Sequence, residues 1–138
     1  MALHTQTRIN ANSSKTNNVT KEEHLIRILQ LNMQHSRAAT QNVNEIAIRN
    51  GIDILLLQEP YNFNNKICGL SKHMQIFSKG EKKKRAAIIV TNKNYNVILL
   101  NQFSNEDMVA VIVQIRNIDI LIISAYFDIT IDIQINLV

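Results

Sequence analysis

The sequence contains one cysteine, one proline and three glycines in 138 residues. With Cys68 as the lone thiol, no disulfide can form within the chain, and the fold has to rest on packing and hydrogen bonds. No apolar leader precedes the polar start, so the sequons at Asn12 and Asn18 read as chance matches. The longest apolar stretch, Ile118 to Phe127, is interrupted by Asp119 and is too short to span a bilayer. Neither an internal repeat nor a heptad pattern is present, which excludes solenoids and coiled coils. The expectation is a soluble protein of a reducing compartment, nucleus or cytosol.

What the chain does have is aliphatic residues. Hydrophobic residues make up 46% and charged residues 19%, a globular composition with enough length for one ordinary domain. Isoleucine is over-used, and β-branched side chains pack well on pleated surfaces, so a sheet-rich structure is expected. Net charge is +4. Its distribution is uneven: from Lys66 to Lys93 the only acid is Glu81, and Lys82, Lys83, Lys84 and Arg85 are contiguous. Such a run can bind a phosphate backbone by releasing counterions, or it can be a solvated hairpin tip that keeps a sheet edge soluble.

Residues 1–23 are rich in Asn, Thr, Ser and Lys without apolar periodicity, and a flexible tail is predicted there. Structure is predicted to begin at Leu25, with a buried strand to Leu31 that ends at Asn32. Ser36 is placed to cap a helix running to Asn50, whose apolar face holds Ala39, Val43, Ile46 and Ala47. Gly51 stands where a left-handed C-terminal cap belongs. The aliphatic run Ile52 to Gln58 then predicts a second strand, parallel to the first and covered on both faces, making a βαβ unit. Further short strands are predicted at Met74–Ser78, Arg85–Thr91, Asn96–Phe103, Met108–Ile115 and Ile118–Phe127, with antiparallel pairing, so the sheet is mixed.

Asn32 and Glu59 close the first two strands. If those strands are parallel neighbours, both polar groups leave the carboxyl edge, where open α/β sheets bind ligands. Pro60 biases Glu59 towards an extended conformation with its carboxylate outward. A carboxylate with a carboxamide suits Mg²⁺, which takes one or two carboxylates and completes its octahedron with water and phosphate oxygens. The same two residues could equally be a loop cap and a solvated strand end. His4, His24, His35 and His73 lack metal-ligand spacing, and Cys68 has no base beside it in sequence.

Four blocks then occur in order: Leu29 to Thr40 (LQLNMQHSRAAT), Asp53 to Tyr61 (DILLLQEPY), Arg85 to Ile88 (RAAI) and Ser124 to Phe127 (SAYF). Together they resemble the endonuclease domain of non-LTR retrotransposons, a deoxyribonuclease I-like member of the endonuclease/exonuclease/phosphatase class. The resemblance covers nearly everything after the tail, residues 24–138. It implies an α/β (α+β) fold, a four-layer α/β sandwich of which this chain is the amino-terminal half. The activity it implies is Mg²⁺- or Mn²⁺-dependent nicking of DNA, exposing a 3′-hydroxyl that primes reverse transcription. Glu59 is then the metal-binding carboxylate, Asn32 supports the metal site and orients the phosphate, and Tyr126 donates its hydroxyl to that phosphate. Ser36, Arg37 and Thr40, at the helix N-terminus, could receive a phosphate or serve as plain capping and surface charge.

Relatives complete the site with a downstream Asp-x-Asn motif and a Ser-Asp-His motif, and neither pattern occurs here. The expectation is therefore a fragment that is inactive or nearly so. With only the first sheet present, the face carrying Val109, Val111, Val113, Ile120 and Ile122, or the alternate residues of those strands, would lack cover and promote self-association. Two other readings stay open on the sequence: a non-catalytic nucleic-acid-binding remnant and a phosphatase-type member of the same fold.

Overall fold

A computed structural model describes residues 5–10 and 25–128. His4, His24, both sequons and the segment after Asp128 lie outside the described residues. The strand at Leu25–Asn32 (β2) carries its aliphatic residues on both faces and runs parallel to Ile54–Gln58 (β3), with Asn32 opposite Gln58. The helix Arg37–Asn50 (α1) joins them, completing the expected βαβ unit. Ser36 caps it, its side chain accepting from Ala39 N–H at 3.2 Å. Gly51 ends it at φ 57°, ψ 44°, a left-handed cap whose N–H reaches the last-turn carbonyls. Thr40, Val43 and Ala47 are the buried face; Ile46, expected there, is partly exposed.

One expectation fails before the helix is reached. Residues Thr5–Asn10, predicted to lie in a flexible tail, form a strand (β1) antiparallel to β2, with Thr5 opposite Gln30. Its sequence carries almost no apolar signal, because an edge strand is held chiefly by main-chain bonds to its neighbour; only Ile9 packs on the core.

After β3 come a small hairpin, Asn62–Phe63 (β4) with Lys66–Ile67 (β5), and then Gln75–Phe77 (β6) and Ala86–Val90 (β7). The first sheet has the order β1-β2-β3-β7-β6 and is mixed, since only the β2/β3 pair is parallel. Asn96–Leu99 (β8), Met108–Ile115 (β9) and Ile118–Ala125 (β10) form a second, antiparallel sheet of order β10-β9-β8. The strand predicted to continue to Phe103 stops at Leu99 and gives way to a 3-10 turn at Asn101–Phe103.

The two sheets pack face to face, which corrects the expectation of a single uncovered sheet. Val109, Val111 and Val113 are completely buried, and Ile122 nearly so, against Ile26, Ile28, Ile54, Ile88 and Val90 of the first sheet. On the opposite face of that sheet, Leu29, Leu31, Leu55, Leu57 and Ile89 pack on α1. The described layers are thus helix, sheet, sheet. Of the alternate set, Ile98, Leu121 and Ile123 stand exposed on the outer face of the second sheet. No described helix is long and apolar enough to cross a membrane.

Candidate active site and nucleic-acid groove

Five chain segments meet at the carboxyl ends of β2 and β3. Met33 N–H donates to the Gln58 carbonyl, and His35 N–H to the Glu59 carbonyl, each at 2.8 Å. Glu59 N–H in turn donates to the Arg85 carbonyl, and Arg85 N–H to that of Glu106, again at 2.8 Å. Tyr126 N–H closes the circuit on the Asp107 carbonyl at 2.7 Å. The main chain itself therefore holds the candidate residues in one place.

Glu59 does not take the extended conformation expected ahead of Pro60; its φ is +47°. Positive φ strains a residue with a Cβ by about 1–2 kcal/mol. The bonds through both its N–H and its carbonyl over-determine the turn and offset that strain. Gln34 and His35 are left-handed as well, at φ 49° and 56°. Here Asn32 contributes locally, since its Oδ1 accepts Gln34 N–H at 2.8 Å and stabilises the turn.

That double turn delivers a residue the sequence reading passed over. His35 Nε2 lies 3.3 Å from Glu59 Oε1, and Glu59 is 19% exposed. Only the αL pair at 34–35 creates this contact, so no spacing rule could have found it. On its other side Glu59 has Tyr126 as a neighbour. The interaction with Glu59, followed by desolvation and the nearby charges of Glu59 and Asp128, holds the Tyr126 proton above its ordinary pKa, against the pull of Arg85. Glu59 and Tyr126 are thus brought together, with Asn32 one register position away opposite Gln58.

Arg85 leans over the Tyr126 ring, 5.6 Å from its centroid. Its guanidinium pairs with Asp107 through two nitrogens, one of them at 2.8 Å, and stands 3.6 Å from Asp128. Asp107 above all raises its pKa further. Arg85 was expected in the nucleic-acid surface; its charge is instead committed to two carboxylates and a ring. Thr40 departs from expectation too, being fully buried, with its hydroxyl bonded to the Ser36 carbonyl at 2.9 Å and accepting Tyr61 N–H at 3.2 Å. The Ser36 side chain is engaged in capping, while Arg37 is exposed on the first turn. Lys84 ties its ammonium to the Asn65 carbonyl and its backbone to Asn62.

Lys82 and Lys83 remain exposed and line an open groove of about 500 Å³ together with His35, Tyr61, Asn62, Asn64 and Asn65. His35 lines this groove and also stands beside Glu59, which is not itself part of the groove wall. Among the described residues no cluster of three or more His, Cys, Asp or Glu side chains is set to hold a metal. Cys68 follows the small hairpin, half-buried, with its thiol towards the carbonyls of Phe63 and Lys66.

No family model matches the sequence, and no curated protein matches it. A solved structure does: the endonuclease domain of TRAS1, a telomere-specific non-LTR retrotransposon, with a TM-score of 0.65, 28% identity, and coverage of 75% of this chain and 45% of that one. This chain has the fold of a retrotransposon endonuclease domain. It spans less than half the length of that structure. The likeness in both sequence and shape agrees with the four ordered blocks.

Proposed function

We propose that this chain carries the metal-binding and phosphate-orienting arm of a Mg²⁺- or Mn²⁺-dependent DNA endonuclease. The observation that carries the proposal is Glu59 with His35 at 3.3 Å and Tyr126 as a neighbour, next to a groove that His35 lines together with Lys82 and Lys83. The donor chemistry suits a hard divalent cation: one partly exposed carboxylate at Glu59 and the carboxamide of Asn32, whose oxygen also accepts Gln34 N–H, the remaining ligands being water and phosphate oxygens. When bound, such an ion supplies neutralisation of charge developing on the phosphorus oxygens.

The chain's own residues then have separable tasks. Lys82 and Lys83 hold the DNA backbone by charge and give binding its salt dependence. The Tyr126 hydroxyl, pre-aimed at Glu59, donates to a non-bridging phosphate oxygen once the phosphate arrives. Arg85 holds the Tyr126 ring in place rather than touching DNA. His35 fixes the second side of Glu59. Preorganised donors of this kind need no rearrangement in the transition state.

Neither an Asp-x-Asn nor a Ser-Asp-His pattern occurs in these 138 residues, so a base for the attacking water has no assigned source among them. The proposal for the chain alone is accordingly DNA binding with nicking that is very slow or absent. The outer apolar face at Ile98, Leu121 and Ile123 is assigned to contact between copies of the chain. A plasmid-nicking assay in Mg²⁺, run beside Glu59→Ala, tests the activity. Salt-sensitive DNA binding with little or no turnover is the expected result. Rapid nicking that disappears in Glu59→Ala would show the described half to be sufficient, and nicking that persists in that variant would remove Glu59 from the reaction.

A further inference from the structure

Two polar side chains are buried where the sheets meet, in surroundings that are otherwise aliphatic. Gln58, the last residue of β3, is 7% exposed, and Ser124, near the end of β10, is 1% exposed. Gln58 Nε2 donates to Ser124 Oγ at 3.1 Å. Gln58 Oε1 accepts from Gln30 Nε2 at 3.3 Å, and the Ser124 hydroxyl faces the Leu57 carbonyl at 3.5 Å. No buried side-chain N or O atom among the described residues is left without a partner.

Burying an amide and a hydroxyl among aliphatic groups gains little stability, because each gives up water for one bond, and an apolar pair of the same shape packs as well. A directional bond does supply something that aliphatic contacts lack. The strands β3 and β10 belong to different sheets and share no main-chain ladder. At this end the sheets are joined only indirectly by main chain, Arg85 and Ala86 N–H donating to the Glu106 carbonyl in the loop before β9, which leaves the β3–β10 contact itself without a directional backbone bond. Hydrophobic packing is non-directional and tolerates a small slide between layers. Gln58 precedes Glu59 directly, and Ser124 lies two residues before Tyr126. A slide of β10 along β3 would carry the Tyr126 hydroxyl away from the Glu59 carboxylate.

We propose that Gln58 and Ser124 are positioning residues: their buried hydrogen bond pins the second sheet to the first so that the Tyr126 hydroxyl meets Glu59. Neither side chain touches substrate. The inference rests on the nuclease reading only for the use made of Glu59 and Tyr126; the pin itself is a property of the apo chain.

The test follows the ¹³C resonance of the hydroxyl-bearing ring carbon of Tyr126 in the full chain without metal. Glu59→Gln defines the resonance with the carboxylate contact weakened. Gln58→Met, which keeps side-chain length and removes both polar atoms, and Ser124→Ala are each expected to move the resonance at least halfway to that position. Their thermal midpoints should stay within about 5 °C of the unsubstituted chain. Ile122→Val loosens the same interface without touching the pin and should leave the resonance in place. A Tyr126 resonance unmoved in Gln58→Met and Ser124→Ala, or moved as far by Ile122→Val, overturns the proposal. So does a resonance indifferent to Glu59→Gln, since the contact to be positioned would then be absent. Addition of Mg²⁺ to the same samples separates the two claims: no response to the ion, with the mutational pattern intact, removes the metal-site reading and leaves the pin standing.

Discussion

His35 Nε2 stands 3.3 Å from Glu59 Oε1, while the His35 N–H donates to the Glu59 carbonyl at 2.8 Å. One residue therefore grips Glu59 by both backbone and side chain. His35→Ala should keep the backbone grip and lose the imidazole, lowering DNA affinity about fivefold, the equivalent of roughly 1 kcal/mol for one polar contact. Fluorescence anisotropy at fixed salt reads this directly. An unchanged affinity would take His35 out of the groove's working surface.

Arg85 and the lysines before it should separate cleanly. Lys82→Ala with Lys83→Ala is expected to reduce the slope of log affinity against log salt by about 2, close to one unit per lost phosphate contact. Arg85→Lys should leave that slope unchanged. Its cost falls on the fold, because lysine lacks the fork that meets Asp107 and the plane that lies over Tyr126. With Asp107 41% exposed, solvent screening keeps that loss near about 1 kcal/mol. Urea unfolding measures it.

The tyrosines set an alkaline limit. Burial, and then the charge of Asp53, raise the pKa of Tyr95 above its ordinary value, and Tyr126 is raised by its interaction with Glu59. A group whose folded pKa exceeds its unfolded one binds protons more tightly in the native state. Its contribution is complete below the unfolded value of about 10 and is lost as pH rises through the folded value. These groups should thus give stability no pH dependence near neutrality, with their full contribution present, and a fall above about pH 10. Tyr95→Phe should flatten part of that fall; a thermal-midpoint profile of identical steepness in the variant would exclude Tyr95 as its source.

Association should follow the exposed face of the second sheet. Leu121 and Ile123 are 59% and 48% exposed and sit on the edge strand β10. The chain is expected to sediment as concentration-dependent oligomers, and Leu121→Lys with Ile123→Lys to sediment as a monomer. Oligomers that survive both lysines would move the interface elsewhere.

The βαβ unit was legible because each of its signals is local. Ser36 and Gly51 mark the helix ends by chemistry that needs no neighbour, and the run Ile54–Leu57 reads as a strand covered on both faces. The pairing of β2 with β3 follows from the crossover, and with it the placement of Asn32 beside the Glu59 turn. Strand β1 was illegible, since TQTRIN has hardly any apolar residues and forms only against an edge that the rest of the chain must first create. The left-handed Glu59 was hidden as well: Pro60 argues for extended backbone, and only the carbonyl of Arg85 and the N–H of His35 reverse it.

The same division runs through the site. Residue order alone marked Asn32 and Glu59 as strand ends and the basic run as a patch, because strand spacing and charge are local; Tyr126 came from the resemblance of the SAYF block. Tertiary structure decided which of these are available. It sank Thr40 under Tyr61, gave Arg85 to Asp107 and Asp128, engaged Lys84 with the hairpin, and left Lys82 and Lys83 facing the groove. It also brought His35 to Glu59 and joined Gln58 to Ser124 across two sheets. Charge and hydrogen-bonding capacity are written residue by residue, whereas the partner each group meets depends on chain segments far away in sequence, and no local rule reaches that far.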